Sequence, residues 1–70
     1  MSVIETDHVS KLLNCELQNC VNRWIDSIKR QDSVIQLVEQ GYKSAIRSVM
    51  YQLNIEEKDI DYSQIPEGQR

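Results

Sequence analysis

Apolar side chains recur every three or four residues over two long stretches of this chain. The first runs Val9, Leu12, Leu13, Leu17, Cys20, Val21, Trp24, Ile25, Ile28, and the second Val34, Ile35, Leu37, Val38, Tyr42, Ala45, Ile46, Val49, Met50, Leu53. Such steps keep side chains on one side of a helix. They predict helices over about 7–30 and 33–53, within a helical unit of residues 1–54. Residues 1–6 read as a loose leader, and Thr6 or Asp7 offers an oxygen to the unpaired amides of the first turn. Gly41 lies inside the second pattern, where it costs about 1 kcal/mol relative to alanine. It is read as permitting close backbone approach rather than marking a kink. Asn54 tolerates the left-handed conformation that ends helices, with Ile55 placed to pack back on the last turn.

The two stripes share one heptad phase: Val21, Ile28, Ile35, Tyr42 and Val49 are seven residues apart. A continuous coiled coil would carry this pattern, so a rod competes with a hairpin. Three features favour a turn at Gln31–Asp32. "QDS" is the one wholly polar interruption of the stripe. Ser33 followed by Gln36 fits a capping box, and Lys29 and Arg30 suit the negative end of a preceding helix dipole. The stripes are also wider than a two-stranded seam needs. The expected fold class is therefore all-α, an antiparallel two-helix hairpin. Its expected core is Leu13, Leu17, Val21, Trp24, Ile28, Ile35, Val38, Tyr42 and Val49, with Glu16 facing Arg47.

Two helices cannot cover both stripes. Ile25, Leu37, Ile46 and Met50 fall off the hairpin seam and form the expected dimer or partner interface. A second copy would bury them in a four-helix-bundle homodimer; a different protein could do the same.

Composition narrows the reading. Seventy residues make one small domain, which usually needs extra support from disulfides, metal or oligomerisation. Cys15 and Cys20, five apart on a helix, point about 140° away from each other and cannot bridge internally. They are read as structural thiols, Cys20 in the core and Cys15 at its edge, with an intermolecular disulfide as the alternative. No metal is expected, because two cysteines and the lone His8 supply too few ligands. No apolar run is long enough to span a membrane, and "MSVIETDHVSKLL" lacks a signal-peptide pattern, so the expected location is cytoplasmic. The net charge of −3 sits in the tail, residues 55–70, where five acidic residues accompany two basic ones.

Nothing in the chain suggests catalysis or a cofactor. No nucleophile has a base at recognisable spacing, no glycine-rich phosphate loop occurs, and the tail's acidic residues lack the order of an EF-hand. Lys11, Arg23, Lys29 and Arg30 line the polar side of the first helix and are weak nucleic-acid candidates. Glu16 and Asp26 interrupt them, and the acidic pI of 4.9 opposes phosphate affinity. Trp24 and Tyr42 are read as buried, Tyr51 and Tyr62 as exposed. In the tail, Ile60, Tyr62 and Ile65 among acidic residues suit a docking segment that orders on a partner; a flexible end, or one folding back over the bundle, fits equally. The expected function is a small non-catalytic regulator, adaptor or assembly factor that binds itself or another protein. A nucleic-acid-binding hairpin dimer and an obligate subunit of a larger complex are the alternatives.

Overall fold

The computed structural model of the chain describes residues 3–70, with side chains from Asp7 onward. Helix α1 spans Val3–Lys29 and helix α2 spans Ser33–Gln52. They pack against each other as a hairpin, and among the described residues no strand forms. No described helix is long and apolar enough to cross a membrane. Helix α1 starts four residues before the expected boundary. Thr6 and Asp7 therefore lie within it rather than capping it, and of the expected leader only Met1 and Ser2 lie outside the described residues.

The reversal is made by backbone hydrogen bonds. Gln31 takes the left-handed conformation (φ 57°), its amide donates to the Ile28 carbonyl at 3.1 Å, and the Asp32 amide donates to Ser27 at 2.9 Å. This paired ending satisfies carbonyls that the last turn of α1 leaves open. Asp32, extended at φ −91° and ψ 92°, then caps α2: its Oδ1 accepts from the Ile35 amide at 3.1 Å. The expected Ser33–Gln36 capping box is thus corrected by one residue. Ser33 is already helical, and the Gln36 amide donates to the Asp32 backbone carbonyl. Helix α2 ends the same way as α1. Asn54 is left-handed (φ 56°), and the Asn54 and Ile55 amides donate to Tyr51 and Met50.

Residues 55–70 form a third layer, a non-helical strap laid along the hairpin and closed by a short 3-10 turn at Glu67–Gln69. Two apolar clusters result. Leu17, Cys20, Ile46 and Met50 form one, flanked by Leu13, Ile55 and Ile60. Val21, Trp24 and Ile65 form the other, flanked by Ile25, Ile28, Ile60 and Tyr62.

The strap changes which face of α2 is inside. Ile46 and Met50, expected at an interface with another chain, are buried within this one. Val38, Tyr42 and Val49, expected in the core, are 58%, 42% and 45% exposed. The reason is geometric: α2 is rotated so that Glu39, Lys43, Ile46 and Met50 face inward, where α1 and the strap jointly cover them. Ile35, Ile25, Leu13 and Ile28 are half-buried, and Leu37 is exposed. Ile60, Tyr62 and Ile65 pack on their own hairpin, so the tail takes the fold-back arrangement that the sequence left open beside a docking segment. Gly41 is corrected too, because a Cβ built on it would meet nothing within 4 Å.

With an ordinary negative φ and open space around it, Gly41 gives up helix stability without a packing return inside the single chain. Gly41→Ala should raise the unfolding free energy by about 0.5–1 kcal/mol, measured by urea denaturation followed by circular dichroism.

Candidate functional site

The strap lies in a groove whose walls come from both helices. On α1, Asn14 and Gln18 are one turn apart and present amide groups to the strap's main chain. Asn14 Nδ2 donates to the Glu56 carbonyl at 3.2 Å, while Asn14 Oδ1 accepts from the Lys58 amide at 2.8 Å. Gln18 Oε1 accepts from the Asp61 amide at 2.9 Å. A carboxamide suits this task because it carries a donor and an acceptor side by side.

On α2, Lys43 and Arg47 are also one turn apart. Lys43 Nζ donates to the carbonyls of Gln69 and Arg70 at 3.2 and 3.3 Å and sits 4.6 Å from the centre of the Trp24 ring. Burial, and then the nearby Arg47 guanidinium, hold the Lys43 ammonium below its ordinary pKa. Arg47 donates to the Arg70 carbonyl and to the Tyr62 hydroxyl, each at 2.7 Å, and to Glu57. The Tyr62 hydroxyl in turn donates to Glu57. Burial, then this carboxylate, push the Tyr62 pKa up. Arg47 is therefore committed to the strap, not to Glu16 as the sequence suggested. Glu16 instead accepts from the Tyr42 hydroxyl at 3.2 Å.

The hairpin interior carries polar groups of its own. Glu39, only 5% exposed, pairs with Arg23 at 2.7 Å, and its backbone carbonyl accepts from the Cys20 thiol at 3.2 Å. Buried Ser27 donates to the Trp24 carbonyl. Two buried donors in the groove walls, Trp24 Nε1 and Arg47 Nε, lack an acceptor; the nearest Glu57 oxygen lies 3.4 Å from Arg47 Nε but is not aligned for a hydrogen bond.

A second surface lies on another side of α2. Val34, Leu37 and Val38 are mostly exposed, reaching 70% at Leu37, Tyr42, Val49 and Leu53 are each a little under half exposed, and Gly41, Ala45 and Ser48 lie between them. No ionisable side chain other than the Tyr42 hydroxyl interrupts this strip. Leu12 of α1 is exposed as well.

The basic residues suggested for nucleic acid are not gathered into a patch. Arg23 is tied to Glu39, and Arg30 pairs with Asp26 at 2.9 Å. Lys11 lines a shallow depression with Asp7, Ser10, Asn14 and Lys58, and Lys29 is exposed at the end of α1. Among the described residues, no three His, Cys, Asp or Glu side chains come together as a possible metal site. Sequence reading missed Asn14, Gln18, Lys43 and Arg47. Their signal was present as two i, i+4 pairs, amide on α1 and cationic on α2, matched by an acidic tail. A comparison with family models, curated proteins and solved structures found no match to this chain.

The two cysteines differ sharply in environment. Cys15 is exposed, while Cys20 is fully buried and its thiol pKa is raised, first by burial and then by Glu39. Because the folded value lies above the unfolded one, the stability tied to the Cys20 thiol is complete below the ordinary thiol range. It is lost as pH rises through the folded value. A native chain treated with a thiol reagent at pH 8 should therefore label rapidly at Cys15 alone, with Cys20 labelling only at the rate of unfolding. Equal native rates, read by peptide mass mapping, would contradict the burial.

Proposed function

We propose that the chain is a non-catalytic protein-binding module that acts as a homodimer, joined through the exposed strip of α2. One observation carries the reading: the strip is apolar and uncharged, yet the single chain leaves between about two fifths and seven tenths of each large side chain on it open. Contiguous apolar surface of this kind marks interfaces. The side chains also suit a copy of themselves. Ile35, Val38, Tyr42, Ala45 and Val49 hold the a and d positions of a heptad repeat. Two antiparallel α2 helices with their two-fold axis between Lys43 and Ser44 would set Val34 against Leu53, Val38 against Val49, and Tyr42 against Ala45. The largest ring thus meets a small side chain, with Gly41 and Ser48 beside it. No like charges oppose each other across such a seam. Four helices then pack as a bundle, with each strap on an outer side.

The module works by presenting surfaces. A dimer of this size serves as a regulator, adaptor or assembly factor, holding a partner protein without transforming it.

Mass measured by light scattering at micromolar concentration should equal two chains. Val38→Lys together with Val49→Lys should weaken association at least tenfold by placing unpaired charge in the seam, with helical circular dichroism unchanged. A well-folded wild-type monomer throughout the micromolar range would rule the homodimer out. Aggregation of the wild-type chain, relieved by the two lysines, would instead assign the strip to a different protein.

A further inference from the structure

The groove holds its occupant largely by the main chain. Every hydrogen bond from Asn14 and Gln18 to the strap ends on a backbone group, as do those from Lys43. Beyond Ile55, no backbone–backbone hydrogen bond joins the strap to either helix among the described residues. Contacts of this kind give affinity for any chain of suitable path, while side-chain pockets supply the selection. Selection comes from three positions: Ile60 and Ile65 in the two apolar clusters, and the Tyr62 hydroxyl against Arg47. The fit is also incomplete, because with the strap in place Trp24 Nε1 has no acceptor and Arg47 Nε has only an unaligned Glu57 oxygen at 3.4 Å. An occupant that supplied those acceptors would bind better than the resident one.

We propose that this groove is a docking site for a segment of a partner protein, and that residues 55–70 are its resident, displaceable occupant. The segment that fits is non-helical and carries two branched aliphatic residues five positions apart. Between them it sets a hydroxyl or carboxylate against Arg47, and its later carbonyls meet Lys43. Asn54, left-handed at the end of α2, is the pivot about which the strap leaves. The proposal does not rest on association through α2, which uses a different side of that helix.

The test uses the full chain and a fluorescent synthetic peptide of residues 55–70, which has the stated chemistry. Lys58→Pro deletes the strap amide that Asn14 accepts from, at an exposed residue, so the helices and groove walls stay as they are. Ile65→Ala removes the deepest anchor. Each variant should bind the added peptide at least tenfold more tightly than the wild-type chain does. Asn14→Ala added to Lys58→Pro should reverse much of that gain. Should Ile65→Ala lose helicity, Lys58→Pro decides alone. Failure of the peptide to bind Lys58→Pro any better than wild type, with helical circular dichroism intact, would overturn the proposal. So would a Lys58→Pro chain that excludes the peptide and dimerises by exchanging straps, since the occupant would then be a second copy. Val38→Lys with Val49→Lys distinguishes that exchange from association through α2.

Discussion

Ile65 packed on Trp24 is the contact on which the remaining arrangement depends. Full burial of an isoleucine contributes about 2 kcal/mol, and here it is only 1% exposed. It fixes the strap at the level of α2 where Lys43 and Arg47 reach the last carbonyls. Lys43 shows how closely the layers are coupled. A buried ammonium is costly unless paired, and this one is held between the Trp24 ring and two main-chain oxygens. Remove the strap and those oxygens go with it. The side of α2 that faces inward is thus consistent only with all three layers present.

This coupling explains which parts of the structure were legible in the sequence. The helices and their reversal were, because apolar spacing and the polar "QDS" break are local signals, and α1 and α2 follow them closely. The rotation of α2 was not. Periodicity gave that helix a stripe broad enough to be turned in more than one way, and the choice depended on residues 55–70, whose apolar positions have no helical rhythm. Ile46 and Met50 looked like surplus because a two-layer core had no place for them; with three layers they are the centre. Asn14 and Gln18 escaped notice for a related reason. Amides on the polar side of a helix look like solvated surface until a backbone lies against them.

The two surfaces have opposite chemistry. The strip on α2 is uncharged and offers shape alone, so any affinity it has would come from water exclusion. The groove combines apolar pockets with amides and cations that fix direction and register. In the roles proposed above, one surface would set the number of copies while the other would distinguish among segments. Of the three cation–π pairs, Arg23 on Tyr42 adjoins the strip, while Lys43 on Trp24 and Arg47 on Tyr62 belong to the groove. Each guanidinium or ammonium there serves packing as much as charge.

The strap follows both helices in chain order, and this has a consequence for biosynthesis. Ribosomes add about 5–20 residues each second, so the sixteen residues after Asn54 take roughly one to three seconds to be made. Hairpin formation needs microseconds to milliseconds in helical proteins. The strap is the last of the three layers to leave the ribosome, and in the interval before it docks Trp24 and Met50 lack the cover that Ile65 and Ile60 give them. That interval is when a chaperone or a waiting partner would find the nascent chain most receptive.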